Sequence, residues 1–471
     1  MRHGLRWWIL LMVPGFDGIS VAADFRAGAA QTVINPPAGA PMAGYYHARG
    51  AEGHLDDLHS KALVLDDGAH RVALVTLDLI STTRPLTEAA RREVERITGI
   101  PGSNVLITAT HAHTGPELSH RGVRDAFNEA LVGGNALAAD YTESLPGLIA
   151  ESVRRADAVR TNVHVSVATG HCEGLAYNRR FFMRDGSVAW NPGKLNPGIV
   201  LPAGVTDPEV SVLLVEPPHA SSALVSAQAA FINFAMHPDT TGGARISADF
   251  PGALARRMAE YHGGECVTLF ANGTCGNINH IDVAWSRAQS SPQEAQRIAT
   301  VLAAAVFQAE KSLRVVPPGP LRVRSEIVRL PLPPVTEAEV AQARMDARTA
   351  RDSTRDGFMK LVQAFKVLDV ASREGRPLEV EVQVIALGGE VAWVSLPGEV
   401  FVELGLAIKQ RSPFRTTMIA ELSNGSIGYI PDRRAFAEGN YEAVSARCAP
   451  GGGELLVDAA LKLLQEVRDA P

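Results

Sequence analysis

Two apolar runs, "RVALVTLDLI" and "NVLITAT", bracket a stretch of helical spacing, "PLTEAARREVERITG". Strand, helix and strand in so short a span read as a βαβ unit with parallel strands. Parallel strands are buried on both faces, so they read as continuous apolar runs rather than as alternating ones. That restricts the chain to an α/β architecture. Ligands gather at the carboxyl ends of such strands. Asp78 stands at the first end, and His111 and His113 stand at the second. Alternate residues of an extended segment point the same way, so "THAHTGP" offers two imidazoles to one point. They read as two metal ligands, as a ligand with an acid/base partner, or as polar residues where a strand becomes a loop.

The same ending recurs downstream. "SALVSAQAAFINFAMHP" stops at His237 before Pro238, which biases the histidine towards extended backbone. "SADFPGALARRMAEYHG" reads as a helix, with Asp249 as its cap and Pro251 in its first turn. "CVTLFANGTCGNINH" is a strand entering a Gly/Asn-rich loop, and "SPQEAQRIATVLAAAVFQAEKSL" is an amphipathic helix. Thr336 and Glu339 form a capping box. "LEVEVQVIALGGEVAWVSL" is a hairpin turning at Gly388-Gly389 and running into Pro397-Gly398-Glu399. The helix "EVFVELGLAIKQRS" then puts Glu399 at a strand-to-helix junction, and "RTTMIAELSNG" is a strand feeding the loop "SIGYIPDRRAFAEGNYE". The hairpin requires mixed sheets. The reading is α/β, with mixed β-sheets flanked by helices, in one compact domain with no internal linker.

Composition removes several classes. A net charge of −6 and the absence of any long basic run exclude a nucleic-acid footprint and binding to anionic membranes. At the N-terminus "MRHGLR" is basic, "WWILLMVPGF" is apolar, and Val21 and Ala23 have the spacing of a cleavage site. Residues 1–23 therefore read as a signal peptide, leaving a secreted or periplasmic protein over 24–471 with no later transmembrane segment. Four cysteines are too few for a disulfide scaffold and lack zinc-ribbon spacing. Cys266 and Cys275 are the nearest pair for a bridge, with buried free thiols as the alternative. The Asn-X-Ser/Thr triplets at Asn272 and Asn424 read as loop chemistry rather than glycan sites.

His111, His113, His237 and Glu399 are zinc-ligand types, each at the end of an apolar strand. Hydrolytic zinc sites take such side chains from rigid elements and keep one position for water. Taken singly, His237 reads as a structural histidine and Glu399 as a carboxylate at a helix N-terminus. Five motifs in order change that reading. "NVLITATHAHTGP", "INFAMHPDTTGG…ISADFPG", "LFANGTCGNIN", "VSLPGEVF" and "SNGSIGYIPDRRAFAEGNYE" resemble the neutral/alkaline non-lysosomal ceramidase family, whose first signature is "ATHTHSGP". The resemblance runs from "RAGAAQTVINPPAGAPMAGY" to "GGGELLVDAALKLL".

The resemblance implies a neutral-ceramidase-like catalytic domain that cleaves the N-acyl bond of a ceramide or a related lipid or small N-acyl compound. In that family one zinc ion is held by the first histidine of the motif, the histidine before proline, the glutamate of PGE and a later tyrosine. The matching positions are His111, His237, Glu399 and Tyr429. The second histidine, here His113, works close to the metal-bound water. An arginine of an Asn-Arg segment meets the substrate's oxygen, and "LAYNRR" makes it Arg179, with Arg180 its neighbour and rival. Asp249 either orients a ligand from behind or simply caps its helix.

The chain also departs from the family. Full-length ceramidases add a C-terminal β-sandwich domain, whereas this chain stops where the catalytic domain would end. "NGTCGNINH" replaces an "NVGDVSPN"-like loop and removes its serine and aspartate. Other metal hydrolases fit less well. An amidohydrolase barrel needs further ordered histidines or a lysine and tolerates the hairpin poorly. The HxHxDH pattern of metallo-β-lactamases fails at Gly115-Pro116. A zinc hydrolase of esters or sugar-derived substrates, or an exported non-catalytic binding protein, are the alternatives. The intact set of four ligand positions favours an enzyme. The acyl group, the amine and the oligomeric state stay open at this level.

Overall fold

The computed structural model describes residues 25–119, 136–218 and 227–470; the signal peptide read over 1–23 lies outside them. Three mixed sheets form its frame. The first has the order β4-β3-β2-β1, from β1 (Arg26–Val33), β2 (His59–Asp66), β3 (Arg71–Leu77) and β4 (Val105–Ala109). The second has the order β8-β7-β6-β5, from β5 (His164–His171), β6 (Glu209–Glu216), β7 (Ala229–Phe234) and β8 (Val267–Asn272). The third has the order β9-β10-β11-β12, from β9 (Leu321–Leu330), β10 (Leu378–Leu387), β11 (Val391–Ser395) and β12 (Thr416–Ala420). Short strands at Thr161–Asn162 and Arg314–Val315 extend the outer edges of the first two sheets.

Each sheet ends in one parallel pair: β3 with β4, β7 with β8, and β11 with β12. The other pairings among these strands are antiparallel. A helix crosses over within each parallel pair: α1 (Arg84–Thr98), α3 (Asp249–Tyr261) and α7 (Val402–Arg411). A second helix joins it on each outer face: α2 (Ala136–Ala158), α4 (Pro292–Glu310) and α8 (Gly452–Asp469), respectively. The inner faces meet in one core, where Leu74 and Leu106, Phe231 and Leu269, and Trp393 and Met418 come from the three sheets in turn. Strands covered on both sides explain the unbroken apolar runs.

Local signals set the boundaries. Thr83 caps α1 by accepting from the Leu86 amide, and Gly99 closes it at φ 69°, donating to the Glu95 carbonyl. Leu86, Ala90 and Val94 recur every fourth residue on its buried side. The hairpin pairs Leu387 with Val391 around Gly388-Gly389, and the Thr336–Glu339 capping box opens α5 (Glu337–Thr349). Helix α6 (Arg355–Ser372) packs on α5 through Ala343, Ala347, Ala364 and Val367. Its Phe358 and Phe365 reach the ring of Tyr46. All four cysteines are buried free thiols, so the Cys266–Cys275 bridge is not formed. Asn272 and Asn424 are buried, the first as the last residue of β8 rather than in the loop beyond it. Among the described residues no helix is long and apolar enough to cross a membrane.

Candidate metal centre

The carboxyl ends of the three parallel pairs converge. β4 stops at Ala109 and the chain turns at once, with Thr110 donating to the Leu77 carbonyl and His111 and Ala112 both donating to that of Leu79. His111 sits at φ 74°, a left-handed conformation that a residue with a β-carbon adopts only under constraint. The two histidines therefore do not share an extended segment; a turn, not strand alternation, brings both rings inwards. Arg49 donates to the His113 carbonyl at 2.9 Å and to that of Ala43. Gly44 passes so near that a β-carbon there would lie 2.6 Å from the His113 oxygen. His237 follows β7, and Glu399 follows β11. The short strand Glu399–Val400 pairs in parallel with Tyr429–Ile430, which sets Glu399 beside Tyr429.

The donor atoms face one another. His113 Nε2 lies 3.2 Å from His111 Nε2, while Glu399 Oε2 lies 3.5 Å from His111 Nε2 and 3.2 Å from His237 Nε2. His111, His113 and His237 form a group able to hold a metal, with ligand atoms within 4.8 Å of one another. Tetrahedral ligands at ordinary zinc–nitrogen distances stand about 3.3 Å apart, so these separations fit the ion. Ring orientation fits it as well. His111 Nδ1 lies 2.7 Å from the Ile80 carbonyl, and His237 Nδ1 lies 2.8 and 2.9 Å from those of Cys275 and Ile278. Those contacts fix the Nδ1–H tautomer and turn the Nε2 lone pairs towards the common point. Two lone pairs 3.2 Å apart repel unless a proton or a cation lies between them.

Burial and charge set protonation. Burial, aided by Arg179, pushes His237 down to about 3. Burial, then the neighbouring His111, holds His113 well below the usual imidazole range. Burial alone would raise Glu399, but His111 and His237 hold it well below the usual carboxylate range. The shifts thus favour neutral imidazoles at His113 and His237 and a carboxylate at Glu399, the forms that ligate metals. Burial lifts the Tyr429 phenol well above its ordinary range against the pull of Arg179. A divalent cation beside the phenol acts in the opposite direction.

Arg179 and Arg180 separate cleanly. Arg179 Nη1 lies 3.4 Å from His237 Nε2, its Nε donates to Glu442 at 2.9 Å, and its Nη2 donates to the Gly276 carbonyl at 2.7 Å. Its guanidinium lies over the Tyr429 ring. Arg180 turns away, donating to Glu442 at 2.9 Å and to Glu438 at 3.1 Å. Removing Arg180 takes one of two cationic partners from each carboxylate, since Arg179 still holds Glu442 and Arg434 still reaches Glu438. Arg180→Ala should therefore destabilise the protein by about 3 kcal/mol in denaturant unfolding while leaving the rate per folded molecule nearly intact. A collapse of that rate at unchanged stability would assign the substrate contact to Arg180 instead.

Two carboxylates differ from their sequence reading. Asp78, at the end of β3, takes an ion pair from Lys61 at 3.1 Å and an amide from His59, outside the donor set. Asp249, at φ 55°, accepts from the Thr240 and Thr241 amides and hydroxyls. It fastens the loop after His237 rather than serving as a plain cap. Sequence reasoning also passed over Glu421, which accepts from the Val400 amide at 2.8 Å and from the Cys275 thiol at 2.9 Å. Burial raises it well above the carboxylate range. It braces the backbone beside Glu399, and its signal was available: it is an acid directly after an apolar strand, as at His237. Glu442, the shared anchor of both arginines, lay inside the quoted "GNYE".

Three βαβ units around a histidine–carboxylate centre give the fold of the neutral ceramidases. The neutral ceramidase from Pseudomonas aeruginosa superposes at a TM-score of 0.71 and 18% identity, over 95% of this chain and 76% of that one. A ceramidase complexed with C2 gives 0.72 and 17% over the same shares. At these identities the likeness is one of fold. No protein-family model and no curated protein matches the chain.

Proposed function

We propose that this protein is a zinc-dependent amide hydrolase, ceramidase-like, that cleaves the N-acyl bond of a ceramide or a related N-acyl compound. One zinc ion per chain is held by His111, His237, Glu399 and Tyr429. The observation that supports this is the convergence of Nε2 of His111, Nε2 of His237 and Oε2 of Glu399, both rings oriented through backbone carbonyls. When bound, zinc supplies Lewis acidity, polarising an acyl carbonyl and acidifying water to a pKa of about 7. Arg179 binds the acyl oxygen as negative charge grows there, from a site with little water to screen it. His113 takes the proton of the attacking water and returns it to the leaving amine. Residues 24–471 form the hydrolase domain, and export follows from the signal peptide read over 1–23.

The test is hydrolysis of N-acyl lipids, smaller N-acyl compounds and simple esters by the zinc-loaded protein. Amide cleavage should disappear with a chelator and return with zinc. Cleavage of esters with every amide untouched would place the protein among other zinc hydrolases. No turnover by a fully zinc-loaded protein would leave a binding protein.

A further inference from the structure

Two cavities open on the donor set, of 410 and 330 Å³, and both are lined by His113, Tyr46, Tyr429 and Tyr441. These volumes suit a small ligand. The larger one is strongly charged, lined by Arg84, Arg373 and Arg447 against Asp369 and Glu379, with Glu399 at the donor set, where His111 and His237 engage it. The charges do not pair off. Arg373 and Arg447 share one oxygen of Asp369, at 3.5 and 3.6 Å, long for charge-assisted hydrogen bonds. Glu379 is engaged by Arg329, whose Nε donates to it at 3.0 Å. Arg84 has its own carboxylate, Glu88, at 2.9 Å. Two guanidiniums therefore face one shared carboxylate, and Arg447 is held in place by its bond to the Ser445 carbonyl at 2.7 Å.

A second observation points to a missing acceptor. Nε of Arg373 is buried without a hydrogen-bond partner. Ser81, 2% exposed and on the wall of the same cavity, has an unpartnered hydroxyl. Ser81 directly follows Ile80, whose carbonyl meets His111, so this donor stands at the catalytic end of the cavity. Buried donors left unmatched are costly, and a ligand that brings acceptor oxygens removes that cost. A long aliphatic chain brings none. A carboxylate brings two oxygens and the charge that Asp369 leaves unbalanced.

We infer that the larger cavity takes a carboxylate on the substrate, so that the preferred substrates are carboxylate-bearing N-acyl compounds rather than uncharged sphingoid lipids. Which bond is cut rests on the hydrolase reading; anion binding does not. Calorimetric titration of the chelator-treated protein isolates binding, because it prevents turnover and keeps the probe's carboxylate off the metal. The probes are N-hexanoylglycine and succinic acid monohexylamide, which carry the carboxylate on opposite sides of the amide, each against its uncharged carboxamide. At least one acid should bind about tenfold or more tightly than its carboxamide, and that preference should shrink as salt rises. In Arg373→Gln/Arg447→Gln the preference should fall below about threefold. Arg84→Gln, at an exposed position that folding tolerates, should lower it partly. Equal binding of acids and carboxamides, or a preference unchanged in both variants, would overturn the inference. A protein that binds the acids but cuts no amide keeps this inference and loses the hydrolase reading. One that cuts amides with no preference for the acids does the reverse.

Discussion

His111→Ala and His237→Ala should each lower bound zinc from about one ion per chain to less than about a tenth of that, and amide hydrolysis should fall with it. The expectation rests on what each ring gives up. Both imidazoles are almost wholly buried, with exposures of 2% and 1%, and both are aimed by a contact from Nδ1 to a backbone carbonyl. Each lies beside Glu399, so removal also leaves a buried carboxylate with one fewer partner. Metal analysis beside circular dichroism separates loss of the ion from loss of fold. Full zinc occupancy in both variants would remove them from the ligand set.

His113→Ala should behave differently, keeping zinc while kcat drops by roughly 10²–10⁴-fold. Distance alone does not distinguish this ring, since its Nε2 is as near to His111 as ligands are to each other. Its other nitrogen does. His113 Nδ1 has no hydrogen-bond partner, and the carboxylate of Asp239 stands 3.8 Å away. Asp239 is in turn held by the Tyr45 hydroxyl. A ring not locked to one tautomer suits a group that must gain and lose a proton, whereas His111 and His237 are locked. Zinc lost together with activity would put His113 in the coordination set.

The sequence was most informative where chemistry falls at strand ends. "NVLITAT", "AAFINFAMHP" and "VAWVSLPGE" each run apolar until a ligand type appears, because strands buried on both faces leave polar residues only where they emerge. β1 was not legible in that way. "RAGAAQTV" is built of small residues with a burial pattern that follows neither period two nor a continuous run. β5 and β6 also passed unread, and with them the threefold arrangement of sheets. The turn at His111 was hidden for a different reason. A positive φ at a non-glycine residue is imposed by the Leu79 and Ile80 carbonyls, which are remote in sequence, and no local propensity announces it. The sorting of Arg179 from Arg180 likewise depends on Glu438 and Glu442, more than 250 positions further on.

Each sheet has its own pair of helices and its own outer core, and the inner faces of the three lobes pack together in a shared apolar core. At the carboxyl ends of the strands that packing gives way to His111 from the first lobe, His237 from the second, and Glu399 and Tyr429 from the third. A cation bound there would act as a clasp across three seams at once. No lobe holds the full set, so the site comes into being only when all three have docked, and an unassembled chain offers a metal no comparable hold. An ion held there would limit how far the lobes could swing apart at the strand ends, so that the rigidity of the site would depend on its occupancy.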